Sequence, residues 1–129
     1  VTYINDSKST NEDSVRKALE SFPTEKSVVL IMGGKEKGFS FGGLVELIRH
    51  RVKLLVLIGE AAPKIARDLA PSGTQMVFAA NMDDAVGRAR AAAEPGDTVL
   101  LSPGCSSFDM FSDYRERGNV FKSAVHAIR

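Results

Sequence analysis

A three-layer α/β domain, with a mostly parallel sheet of five to six strands and helices on both faces, is what this 129-residue chain predicts. Three observations carry it. Short apolar runs recur, and they are continuous instead of alternating, as in strands buried on both faces. Segments with helical spacing separate them. The order is strand, helix, strand, helix throughout, which implies right-handed crossovers and a Rossmann-like arrangement.

In chain order, "VTYI" at the start is a candidate edge strand. Val15, Ala18, Leu19 and Phe22 fall at i, i+3, i+4 and i+7 and predict a helix over 12–21. "SVVLIMG" (27–33) is the most apolar strand, and Leu44, Leu47 and Ile48 give a short helix after it. "KLLVLIG" (53–59) is the next strand, followed by a helix carrying Ile65 and Leu69. "QMVFAA" (75–80) leads into Met82, Ala85, Val86 and Ala89, and "TVLLSP" (98–103) leads to Phe121, Ala124, Val125 and Ile128. Turns such as "EPGD" punctuate the series, and no repeat or linker divides it.

Composition narrows the function classes. A chain of this length is one domain, large enough to bury about two thirds of its unfolded surface. Seventeen Lys and Arg interleave with sixteen Asp and Glu for a net charge of +1, which argues against a nucleic-acid partner. The single Cys105 permits no internal disulfide, and with His50 and His126 it does not make a zinc site; the chain reads as cytoplasmic and metal-free. Neither a membrane span nor a signal peptide is visible. The strand-like opening at Val1 suggests a piece cut at a domain boundary.

In open parallel sheets, ligands bind beyond the carboxyl ends of the strands. The segments there are "NDSKSTN", "GGKEKG", "GEAAPK" and "SPGCSS", placing Lys8, Lys37, Lys64 and several hydroxyls on one edge suited to an anion. Thr10 with Asp13 fits a capping box, and Asn11 could serve instead. Capping does not explain Lys8, whose charge opposes the helix dipole unless an anion lies between. A ligand role and a solvated lysine beside a cap both stay open.

"GGKEKGFSFGG" fits neither phosphate-loop template, because Phe39 stands where a lysine is required. Its glycines still allow close backbone approach, and Lys37 could donate a charge-assisted hydrogen bond to a carboxylate, worth roughly 1.5–3 kcal/mol. A solvated turn explains it equally well. In "LLSPGCSSFDMF", Ser106 with Asp109 matches a second capping box before a helix-like segment. No nucleophile elbow accompanies the serines, and nothing marks Cys105 as reactive, so it reads as a small residue in a tight loop. Phe108 and Tyr114 are candidate aromatic walls.

Taken in this order, "NDSKSTN" (5–11), "GGKEKG" (33–38), "LLSPGCSSFDMF" (100–111) and "YRERGNVF" (114–121) resemble the C-terminal domain of the Mur ligases, within that family the members adding D-glutamate. The resemblance spans nearly the whole chain. It implies a three-domain, monomeric enzyme of peptidoglycan synthesis in which ATP activates the carboxylate of UDP-N-acetylmuramoyl-L-alanine as an acyl phosphate, attacked by the amine of D-glutamate. The UDP-binding N-terminal domain, and the central domain holding ATP and magnesium, would be absent here. Residues 1–129 would be the amino-acid-binding domain, inactive alone.

The resemblance further assigns Thr10, Lys37, Ser107, Phe108 and Tyr114 to the D-glutamate pocket, and turns Asp6 and Lys8 across the hinge toward ATP or its reacting phosphate. Ser9 stands where the family usually has alanine, and "GCS" replaces its commoner "ACA". Two rival readings are a free-standing module of the same fold sensing a small acidic metabolite, and a ligase of the folate polyglutamate synthetase type.

Overall fold

The structure, a computed structural model, describes residues 1–38, 40–107 and 110–128. Among these, five strands form one parallel sheet: β1 (Thr2–Asn5), β2 (Val28–Gly33), β3 (Val52–Ile58), β4 (Gln75–Phe78) and β5 (Thr98–Leu101), in the order β1-β5-β2-β3-β4. The helices alternate with them: α1 (Glu12–Glu20), α2 (Val45–Arg51), α3 (Ala62–Leu69), α4 (Met82–Ala92) and α5 (Tyr114–Ala127). Short 3-10 turns, Gly42–Leu44 and Ala70–Ser72, precede α2 and follow α3.

The apolar runs of β2, β3 and β5 are buried because both faces of the sheet are covered there, whereas the run expected to be buried at 75–80 forms the edge strand β4, with Phe78 exposed. Val28, Leu30, Met32, Leu55, Leu57 and Leu100 point to one face, against Val15 and Leu19 of α1, Ile48 of α2 and Ile65 and Leu69 of α3. The intervening residues Val29, Ile31, Leu54, Val56, Ile58, Val99 and Leu101 point to the other, against α4 and the Phe121, Ala124 and Val125 stripe of α5. The steps from β1 to β4 run outward in one direction with α1–α3 on one face. The step from β4 back to β5 reverses direction, and α4 accordingly lies on the opposite face, as a single crossover hand requires.

That reversal creates the position for a site. The chain leaves β1 and β2 toward one face and β5, which lies between them, toward the other. A crevice opens where neighbouring strands send their connections to opposite sides.

Candidate functional site

Three segments meet at that crevice, 6–11 after β1, 34–38 after β2 and 102–107 after β5, and backbone hydrogen bonds tie them together. The Asp6 amide donates to the Leu101 carbonyl (2.8 Å), Gly104 to Ser9 (3.1 Å), Gly33 to Pro103 (3.1 Å) and Lys35 to Ser106 (2.9 Å). The last contact is an isolated antiparallel bridge, which places the segment carrying Lys37 beside the segment carrying Ser107. Gly34 permits this approach, and Gly33 permits the matching approach of β2 to the end of β3. A Cβ on Gly33 (φ 137°) would lie 1.8 Å from the Ile58 carbonyl oxygen, and one on Gly34 (φ 145°) 2.3 Å from that of Ser106.

Arg117, on the first turns of α5, is the buried bolt of the rim. It is 1 % exposed. Its guanidinium donates to Ser7 Oγ (3.0 Å), the Ser7 carbonyl (2.6 Å) and the Cys105 carbonyl (2.8 Å), so one side chain holds the β1 and β5 loops. Ser7 Oγ in turn donates a hydrogen bond to the Tyr114 carbonyl at 2.7 Å. Gly118 lets α5 approach β1, since a Cβ there would meet the Asn5 side chain at 2.8 Å. Arg117 lies four residues before Phe121, on the stripe that faces the sheet; a cation on an otherwise apolar face was the available signal for it.

Asp6 is half-buried, and its carboxylate accepts from Ser102 Oγ at 3.0 Å. Lys8 is exposed at the mouth of two clefts. The smaller, of about 210 Å³, joins Lys8 to Tyr114, Arg115 and Lys122. The larger, of about 600 Å³, runs along β1 and α1 over Ile4, Ala18, Phe22 and Leu100. Tyr114 is 38 % exposed, with the Arg115 guanidinium 5.9 Å from its ring centre.

Several sequence expectations are corrected. Asn11, not Thr10, caps α1, accepting from the Ser14 amide at 2.9 Å, and the Asp13 carboxylate pairs with Lys17. Thr10 is thereby left half-buried beside the rim. The helix after β5 begins at Tyr114 under an Asp113 cap, so the capping expected of Ser106 is not at a helix start; its proposed partner Asp109, like Phe108, lies outside the described residues. Ser106 is instead 9 % exposed, with an Oγ that finds no partner. Ser107 is 2 % exposed, so a ligand reaches its hydroxyl only if this loop yields. Lys64 belongs to α3 and pairs with Asp68 at 3.5 Å. Lys37 is exposed in the β2 loop. Cys105 packs in the core.

Among the described residues no group of His, Cys, Asp and Glu side chains is arranged to hold a metal ion. The rim carboxylates have other partners: Asp6 has Ser102, and Glu60 has the Glu36 amide. Among them, too, no helix is long and apolar enough to cross a membrane.

The loops after β1, β2 and β5 of this parallel α/β layer lock into one lysine-bearing rim. Residues 1–105 match the family described as Mur ligase, glutamate ligase domain, and the chain belongs to that family. Among its relatives are proteins named UDP-N-acetylmuramoylalanine--D-glutamate ligase. That of Geotalea daltonii is 51 % identical over 99 % of this chain and 28 % of its own length. Those of Salinibacter ruber and Geobacter metallireducens are 46 % and 49 % identical over 99 % of this chain, each across 27 % of its own length. The chain thus spans about a quarter of the length of the curated relatives it matches.

Proposed function

We propose that residues 1–129 are the amino-acid-binding domain of a ligase that adds D-glutamate to UDP-N-acetylmuramoyl-L-alanine, through an ATP-derived acyl phosphate, in the cytoplasmic stage of peptidoglycan synthesis. The observation that carries the reading is the knitting of the Lys8, Lys37 and Ser107 loops at the carboxyl edge of adjacent strands. The names borne by the relatives support the choice of D-glutamate.

In this reading Lys37, Thr10 and Ser107 pair with the two carboxylates of D-glutamate, and Phe108 and Tyr114 wall its aliphatic part. Asp6 and Lys8 turn toward ATP. ATP and magnesium supply the activated phosphoryl group, and domains outside this chain hold them. The residues of this chain bind and orient the incoming amine and help exclude water, which matters because an acyl phosphate hydrolyses in an open site. The complete ligase is expected to act as a monomer.

The test is phosphate release by the full-length protein with ATP, the UDP precursor and D-glutamate. Lys37→Ala is expected to raise the KM for D-glutamate at least tenfold, the scale of one lost charge-assisted contact of about 1.5–3 kcal/mol, with the KM for ATP unmoved. Unchanged D-glutamate kinetics remove Lys37 from the pocket, and activity with L-glutamate alone removes the substrate assignment.

A further inference from the structure

Lys37 is carried on a stretch, 34–38, that begins and ends in glycine, and such a stretch does not hold a side chain in place unaided. What holds it comes from the next strand. Glu60 follows β3 and Gly59, whose φ of 78° turns the chain back over the β2 loop. Its Oε1 accepts from the Glu36 amide at 2.9 Å, and its Oε2 lies 3.9 Å from Lys35 Nζ. One residue on, the Ala61 amide donates to the Gly34 carbonyl at 2.9 Å. The Glu36 carboxylate in turn accepts from the Gly38 amide. The backbone on both sides of Lys37 is therefore held by carboxylates in relay, and the relay starts at Glu60.

We propose that Glu60 is a positioning residue for Lys37, a staple from the β3 loop that fixes the 35–38 segment so that the lysine meets a substrate carboxylate. This rests on the assignment of Lys37 to the D-glutamate pocket. The side chain of Glu60 is 51 % exposed, so its removal leaves global stability nearly untouched while loosening one loop. Its influence on binding runs through preorganisation, not through contact with the ligand.

The experiment compares Glu60→Ala, Glu60→Gln, Lys37→Ala and the Lys37→Ala/Glu60→Ala pair in the full-length ligase, with melting temperature, kcat, and KM for each substrate. Glu60→Ala is expected to raise the KM for D-glutamate about three- to fivefold, the scale of one exposed charged contact, with kcat and the KM for ATP unchanged. Glu60→Gln keeps an oxygen for the Glu36 amide and is expected to recover most of the loss. In the Lys37→Ala background the Glu60 change is expected to add nothing. An equal Glu60 effect with and without Lys37, or no effect of Glu60→Ala where Lys37→Ala does raise KM, overturns the staple alone. An unmoved KM in Lys37→Ala overturns the pocket assignment, and the staple with it.

Discussion

Truncating Arg117 should unfasten the rim and cost a large share of the chain's stability. Among the described residues its guanidinium supplies three hydrogen bonds, to Ser7 Oγ, the Ser7 carbonyl and the Cys105 carbonyl, at 2.6–3.0 Å and 1 % exposure. A hydrogen bond from a charged donor contributes about 1.5–3 kcal/mol net. Three that share one donor group are not additive, so Arg117→Ala is expected to cost about 3–5 kcal/mol, set against the 5–15 kcal/mol that holds a typical domain together. Arg117→Lys keeps the charge but not the planar fork, and should lose about half as much. Arg117→Met keeps the apolar stem and separates packing from hydrogen bonding; it should fall close to Ala. Urea unfolding of the 129-residue chain, followed by circular dichroism, gives these differences from shifted midpoints at constant slope. A loss below about 1 kcal/mol for Arg117→Ala would refute the view that this residue bolts the loops together.

The cap at α1 separates two roles that lie side by side: Asn11→Ala should cost about 1 kcal/mol in urea unfolding, whereas Thr10→Ala should leave stability nearly unchanged and, on the proposed function, raise the KM of the full-length protein for D-glutamate. The reverse pattern would return Thr10 to capping. At the opposite end of the sheet, Lys53 Nζ lies 2.7 Å from Asp97 Oδ2. Burial pushes the Asp97 carboxyl up, but the hydrogen bonds from Lys53 and the Glu94 amide outweigh it and hold its pKa below the ordinary range. The Asp97 hydrogen bond, against some desolvation, raises the Lys53 pKa. A depressed carboxylate stabilises the fold above its unfolded pKa of about 3.9 and loses that contribution as pH falls through the folded value; a raised lysine keeps its contribution below about 10.4 and loses it as pH rises through its folded value. Lys53→Met should therefore destabilise the chain at pH 7, with the gap to wild type narrowing at pH 3; a gap of equal size at both would contradict the linkage.

The layered fold was legible because its signals are local. Runs such as "VVLIM" and "LLVLI" have no polar face to spare, so they had to lie inside a covered sheet, and β2 and β3 do. Edges were less legible: the strand read as 75–80 stops at Phe78, the last residue paired with β3, although the apolar pattern continues beyond it. Either Thr10 or Asn11 suits the first cap by its side chain, and the backbone bend settles on Asn11. The helix after β5 could not be dated to Tyr114 from Ser106, since spacing alone does not reveal how far a loop runs before it turns. Lys8, Lys37 and Ser107 could be placed on one edge from strand order, but the burial of Ser107 depends on contacts made across the sheet. Arg117 and Glu60 act on backbone groups far along the chain, and no short motif encodes such a partnership.

Strand order also sets a schedule. Among the described residues β1 is hydrogen-bonded to β5 and to no other strand, yet 92 residues lie between the end of β1 at Asn5 and the start of β5 at Thr98. A ribosome delivering this chain releases β2, β3 and β4 ready to zip together while β1 waits, unpaired, for the strand that will slot between it and β2. Long-range closures of this kind are slow and come late. The loops that converge on the rim are thus among the last parts to be assembled, and a polypeptide stalled before residue 98 would carry a half-built sheet with no binding edge at all.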